Sequence, residues 1–441
     1  MSPESSAGVI SSVLAALIAL QFLITQFLLM RQTRHVMRHR SAVPADFAGR
    51  VDLPSHQKAA DYTAARAQLG MVTVAVEAAV LLGWTLLGGL DALNLALRGA
   101  LYDPHPSATA ALAYQVALVV AVSLIGALLS LPLDLIRQFG VERRFGFNRM
   151  TPALYLSDLL KSTLVGLIIG VPLLALVLWL MGQAGPLWWL WAFGALASFQ
   201  VLMLVVFPTW IAPLFNRFTP LKDPALEARI RRLMDRCGFE SRGVMVMDGS
   251  RRSSHGNAYF TGLGRSKRVV FFDTLLDALS PAEVEAVLAH ELGHFRRRHI
   301  QQRLALMLVS ALALLWLLGW GSGQSAFYTG LGVGPNLQAP NDGLALTLFL
   351  LVMPPALFLL SPLGSAWSRR HEFEADAYAA EQADGAALAS ALIKLHSDNA
   401  ATLTPDPWYV RFHYSHPPAL QRLIALRRVS HPAHPQPLPS P

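Results

Sequence analysis

Five consecutive residues carry the strongest chemical signal in the chain: His290-Glu291-Leu292-Gly293-His294. The two histidines are four residues apart. On a helix that spacing puts both imidazoles on one face, able to grip one zinc ion. Glu291 then lies beside the metal and can take a proton from its bound water, whose pKa zinc lowers to about 7. A catalytic zinc takes three protein ligands and leaves one position open. The candidate third ligand lies far along the chain, in Arg369-Arg370-His371-Glu372-Phe373-Glu374-Ala375-Asp376. Glu372 and Asp376 share a helix face, so Glu372 reads as the ligand and Asp376 as an outer acceptor that orients a ligand histidine. Spacing alone leaves His371 and Glu374 as rival ligands, and an exposed charged turn as the bland alternative.

These residues need elements to hold them. Ser280-Pro281-Ala282-Glu283 is a helix start: Ser caps, Pro suits the first turn and Glu closes a capping box. Upstream, apolar residues at helical spacing predict a helix over Pro224–Cys237. Strands are expected at Val244–Asp248, Asn257–Leu263 and Arg268–Phe272, with a short helix from Asp273.

The rest of the chain is apolar. Of 441 residues 53% are hydrophobic and 15% charged, against about 25% charged in a soluble protein. That excludes a disordered chain and argues against an ordinary soluble enzyme. A spanning helix needs about 20 apolar residues. Seven segments qualify or come close: Val9–Met30, Leu69–Leu90, Ala110–Leu133, Leu164–Met181, Leu187–Ile211, Leu304–Trp320 and Leu344–Leu363. The first is no signal peptide, for it lacks a basic leader and a cleavage site. The net charge is +8, and the basic residues sit between apolar blocks, which points to a membrane surface and not to nucleic acid. Alternate loops hold 35 and 1 of the 36 Lys and Arg residues. Basic loops stay cytoplasmic, so the N-terminus is expected outside and the C-terminus inside. A single cysteine, Cys237, excludes a disulfide framework and any Cys-rich metal site.

The expected fold class is mainly α, a polytopic membrane protein with seven transmembrane helices and a cytoplasmic zinc-protease part containing a small β-sheet. The expected division is 1–213 for spans one to five, 214–303 for a metalloprotease loop, 304–363 for spans six and seven, 364–429 for the second catalytic part, and 430–441 for a disordered tail rich in Pro and His.

The chain resembles the type I CAAX prenyl protease family, integral-membrane zinc endopeptidases of the gluzincin type. The resemblance rests on His290-Glu291-x-x-His294 with Glu372-x-x-x-Asp376. It also rests on Arg31-Gln32, Phe145-Gly146-Phe147-Asn148, Pro213–Pro220, Asn257–Gly262, Asp273-Thr274-Leu275 and Tyr414-Ser415-His416-Pro417. It implies a seven-helix barrel around a water-filled intramembrane chamber, with one zinc at its cytoplasmic end. It implies Glu372 as third ligand and Asp376 as its partner. Asn257, Ala258, Tyr259 and Phe260 resemble the family's substrate-binding edge strand, to which a peptide adds as an extra strand. His416 and Arg422 match a His-Pro-x-x-x-x-Arg pattern that lies near the zinc, which implies roles with transition-state charge or behind the ligands. Glu374 stands where many members have Gln. The implied partners are a peptide or protein substrate, with or without a lipid group, and membrane lipid. The compositional style is that of a bacterial protein, and the charge pattern suits a bacterial inner membrane.

Other residues receive plainer readings. His299 is expected to cap or flank the membrane, with Arg296–Arg298 as a lipid anchor. His255 and His413 read as structural or solvated, and Cys237 as a small apolar residue. Glu77, inside the second span, is expected on a chamber wall. Pro354-Pro355 is expected to kink the last span. The alternatives are a membrane quality-control protease without a lipid requirement, a site-2-type intramembrane protease, and a non-enzymatic transporter. The last leaves the metal-ligand set without a role.

Overall fold

The computed structural model describes residues 3–102, 107–240, 243–261 and 268–430. The expected disordered tail, apart from Ser430 in the last helix, and the end of the Asn257–Leu263 strand fall outside these residues.

Among the described residues six helices are long and apolar enough to cross a bilayer. They are α1 (Pro3–Arg38), α2 (Leu53–Trp84), α4 (Ala108–Leu135, continued as a π-helical segment to Glu142), α5 (Pro152–Gln183), α6 (Trp188–Val206, continued to Leu214) and α10 (His299–Ser322). Two shorter helices, α3 (Gly89–Leu101) and α11 (Ser325–Gly330), lie in the loops between spans. A bent pair supplies the seventh span: α12 (Asp342–Phe358) and α13 (Ser361–Gln382) meet at 66°. Large apolar side chains stay exposed along these helices, Leu128 at 67%, Trp191 at 64% and Ile168 at 62%. In water such a surface would aggregate; in a bilayer it faces lipid.

The bend corrects one expectation. Pro354 and Pro355 lie inside α12, and the break falls later, at Leu359-Leu360. There the ladder tightens to an i−3 bond, Leu360 N–H to Leu357 O at 3.0 Å. Pro362 then starts the new helix, since proline suits a first turn, where its missing N–H costs nothing.

The remaining elements form the second layer. A four-stranded sheet has the order β1 (Phe218–Pro220), β2 (Val244–Met247), β4 (Arg268–Phe272), β3 (Ala258–Thr261). The β2–β4 pair is parallel, the other two antiparallel. The three-residue β1 is too short to show in a periodicity reading. Helices α7 (Pro224–Arg236), α8 (Asp273–Ala278) and α9 (Pro281–Arg296) accompany the sheet, and α14 (Gly385–Asp398), α15 (Pro407–His413) and α16 (Ala419–Ser430) follow α13. Ile230, Leu233, Phe271, Leu288 and Leu292 are buried together in their core, each contributing roughly 1.5–3 kcal/mol of apolar burial.

Two features aim the chemistry. The expected capping box starts α9: Ser280 Oγ accepts from Glu283 N–H, and Glu283 Oε2 accepts from Ser280 N–H at 2.7 Å. Arg298, in the left-handed region (φ 59°), breaks the chain between α9 and α10 so that α10 can return into the membrane. Then α9 and α13 cross where Gly293 meets Ala375. A Cβ on Gly293 would come within 2.9 Å of Ala375 Cα and 3.0 Å of its carbonyl oxygen. Both are backbone atoms, so the helices themselves would have to part. Gly293→Ala is therefore expected to destabilise the protein by about 1–3 kcal/mol, read as a lowered unfolding midpoint in detergent. Gly166→Ala on α5, where an added Cβ meets nothing within 4 Å, should leave the midpoint unchanged or raise it.

Candidate active site

The α9–α13 crossing brings three side chains to one point. His290 Nε2 and His294 Nε2 are 3.3 Å apart. Glu372 Oε2 is 3.4 Å from His290 Nε2, and Glu372 Oε1 is 3.4 Å from His294 Nε2. Ligand atoms about 2.0–2.1 Å from a shared ion at tetrahedral angles would lie roughly 3.3–3.4 Å apart. The triangle therefore has the size a tetrahedral zinc requires. Glu372 Oε2 is buried and has no hydrogen-bond partner. A lone pair left in that state is costly unless a cation takes it. The donor set of two imidazoles and a carboxylate fits a metal. Among the described residues it is the one group of His, Cys, Asp and Glu close enough to hold an ion.

Outer groups fix the triangle. Asp376 Oδ1 lies 2.8 Å from His290 Nδ1, which leaves Nε2 for the metal. Arg422 clamps Asp376 through two bonds, Nε to Oδ2 at 2.8 Å and Nη2 to Oδ1 at 2.6 Å. His294 is held by His299, with their Nδ1 atoms 3.0 Å apart. His299 in turn reaches Glu374 Oε2 at 3.1 Å and stacks on His371 at 3.9 Å. His299 is thus a buried partner of a site histidine, and the expectation of a membrane-flanking cap is corrected. Only its position at the head of α10 suited that reading; burial behind His294 needs the fold. His371 and Glu374, the rival ligands, face this outer layer.

Glu291 has no role in the triangle. It lines a cavity of about 330 Å³ together with His290, Glu372, His416 and Arg422. Burial pushes its carboxyl above the usual range, and the neighbouring imidazoles only partly offset this. A base with that shift is better matched to neutral pH than an ordinary glutamate. Burial alone would push the His290 imidazole down, but Asp376 and Glu372 override it and hold it up at about 9. A metal cation would compete with that proton. His416 Nε2 is 3.5 Å from Glu372 Oε1, and Ser415 Oγ steadies its Nδ1 at 2.9 Å.

The strand expected to bind substrate is at the sheet edge. Asn257 O accepts from Phe272 N–H at 2.9 Å. Alternation then turns the N–H and C=O of Ala258 and Phe260 to the free side. The Ala258 N–H is held by Asn257 Oδ1 at 2.8 Å. Gly256, Asn257 and Ala258 line the same cavity as Glu291. Tyr259 pairs with Val270 of β4, and its ring lies over the sheet against Phe272.

Sequence reasoning missed His396, which also lines the cavity. Burial pushes its pKa down to about 4, which favours the neutral imidazole, and its Nδ1 lies 2.9 Å from Leu392 O. A lone histidine in a helix of small residues gives no signal that could have found it. Glu77 lies on a cavity wall as expected, between an apolar space of about 500 Å³ and one of about 750 Å³.

Two family models match the chain. One, CAAX prenyl protease N-terminal, five membrane helices, covers residues 32–217; the other, peptidase family M48, covers residues 220–430. The CAAX prenyl protease 1 of Saccharomyces cerevisiae is 33% identical over 427 residues, 93% of each chain. A CAAX prenyl protease 1 homolog of Dictyostelium discoideum is 31% identical over 90% of this chain and 92% of its own. The crystal structure of S. mikatae Ste24p superposes with a TM-score of 0.86 at 31% identity, over 95% of this chain and 99% of that one. These relatives are eukaryotic, so the bacterial reading of the composition is not borne out: a chain rich in Ala and Arg marks no lineage. The chain is a polytopic membrane metalloendopeptidase and belongs to the CAAX prenyl protease 1 family of M48 peptidases.

Proposed function

We propose that the chain holds one zinc ion per molecule on His290, His294 and Glu372 and hydrolyses peptide bonds beside it. The observation that carries this is the 3.3–3.4 Å triangle, which opens on the cavity that Glu291 lines. Zinc bound there supplies a Lewis acid and a water of lowered pKa. Glu291 takes the proton of the attacking water and passes it to the leaving amine as the C–N bond breaks. His416 donates to the oxyanion that develops on the scissile carbonyl. Arg422, committed to Asp376, holds that carboxylate against His290 and lends positive charge to the same wall. Asn257, Ala258, Tyr259 and Phe260 position the substrate as a fifth strand, with the Ala258 C=O and the N–H and C=O of Phe260 making the backbone bonds.

The substrate is a peptide or protein bearing a lipid group. What supports the lipid is the relatives' activity by name, together with the apolar space beyond Glu77, walled by Ile18, Phe22, Trp84 and Leu351. The loops that carry Lys and Arg face the cytoplasm, with the catalytic parts 214–303 and 364–429 on that side and the N-terminus opposite.

Two outcomes follow. Glu291→Gln should keep one zinc per chain by elemental analysis and lose at least about 10³-fold in kcat. A farnesylated peptide should be cut by the detergent-purified enzyme and its unfarnesylated twin much more slowly. Equal rates on both, abolished in Glu291→Gln, would instead mark a general membrane protease without a lipid requirement.

A further inference from the structure

Beneath the membrane chamber lies the cavity of about 750 Å³. It shares Asn399, Ala401, Thr402 and Tyr414 with the wall of the catalytic cavity, so the two are contiguous. One stripe of α2 lines it: Tyr62, Arg66, Gly70, Thr73 and Glu77, steps of three and four residues that keep to a single helix face.

The charges on this stripe are unequal in their partners. Glu142 accepts from the Tyr62 hydroxyl on both oxygens, at 2.7 and 2.8 Å, and its Oε2 is 3.9 Å from His255 Nε2. Arg137, the other arginine of the cavity, is paired with Asp134 at 2.9 Å. Arg66 lies over the Tyr62 ring at 5.5 Å, within electrostatic reach of Glu142 and of the Tyr62 hydroxyl, and makes no ion pair within 4 Å among the described residues. A guanidinium is a fork of donors suited to a carboxylate, and this one is exposed to an internal cavity contiguous with the catalytic one.

The edge strand gives the direction of entry. The N-terminal end of β3 leads back through Asn257 and Gly256 to His255, and His255 lines this cavity. A peptide that pairs antiparallel with β3, the commoner pairing, therefore runs with its C-terminal side toward His255 and Arg66. From Ala258 to His255 is three residues, roughly 10 Å of extended chain. A substrate whose cleaved bond faces Ala258 would reach His255 about three residues further on. Glu77 lies eleven residues along α2, about 16 Å further.

We infer that the cavity is the subsite for the free C-terminal carboxylate of the substrate, and that Arg66 is the residue that reads it. This rests on the peptidase reading above and on β3 as the pairing strand. Arg66 is a specificity residue: it touches no reacting atom, and it sets how far past the cleaved bond the chain extends.

The test uses two farnesylated peptides of one sequence, each with three residues after the cleaved bond. One ends in a free acid and the other in an amide. The detergent-purified, zinc-loaded wild type should prefer the acid by about 10- to 100-fold in kcat/KM, mainly through KM, the loss expected when one charge-assisted pair is removed. In Arg66→Gln that ratio should fall to about 1. The ratio does not depend on the fraction of enzyme folded, since one preparation cuts both peptides. Should Arg66→Gln cut neither, Arg66→Lys decides, and it should retain a reduced preference for the acid. Equal cleavage of acid and amide by the wild type overturns the inference and leaves the peptidase reading intact. A preference that survives in Arg66→Gln, or that Arg66→Lys removes while it still cuts the amide, also overturns it. Cleavage of neither peptide by the wild type overturns the peptidase reading and this inference together.

Discussion

The contact of α9 with α13 at Gly293 and Ala375 is the constraint on which the site depends. Two of the three metal-binding candidates sit on one helix and the third on the other. Only a backbone-close crossing brings Glu372 within 3.4 Å of both His290 and His294. The crossing then has to tolerate buried charge. Asp376 and Arg422 are 1% and 6% exposed. Removing either would leave its partner buried and uncompensated, a loss of about 3–5 kcal/mol. The pair is retained where it orients His290, so its value lies in geometry more than in net stability.

The stretches that carry family resemblance outside the metal site turn out to be joints between the membrane helices and the soluble layer. Arg31 binds Asp406 at 2.9 Å, and Gln32 Oε1 accepts from Asp406 N–H at 2.7 Å, so α1 holds the start of α15. Phe147 stacks on His255 at 4.7 Å, just ahead of the edge strand. Asn216 Oδ1 and Phe215 O accept from Arg252 at 2.9 and 2.6 Å, while Arg252 also clamps Asp158 on α5. These joints set the height of β3 and of the metal triangle below the chamber. A substrate bound along β3 and cut at the triangle needs that height fixed.

Much of this was legible in the sequence because the signals are local. The helix with the two histidines, its capping box and the seven apolar segments follow from spacing and composition. The candidate third ligand was legible only as one of three, since Glu372, Glu374 and His371 share one short stretch; packing against α9 brings Glu372 within 3.4 Å of both histidines. The kink in the last span was read from Pro354-Pro355, but those prolines are accommodated within the helix, and Pro362 marks the real break. His299 was misread because its burial depends on a helix reversal at Arg298. His396 and Arg66 carry no pattern at all. Their surroundings are assembled from segments more than a hundred residues apart.

The central claim is that two imidazoles and one carboxylate from the crossing helices hold a single zinc. X-ray absorption at the zinc edge of the purified protein tests it most directly. The account predicts four-coordinate zinc with two imidazole scatterers and the remaining donors oxygen, at about 2.0–2.1 Å, and loss of bound zinc in Glu372→Ala. Three or four imidazoles around the metal, drawn from His299, His371 or His416, or a zinc site unchanged in Glu372→Ala, would contradict it.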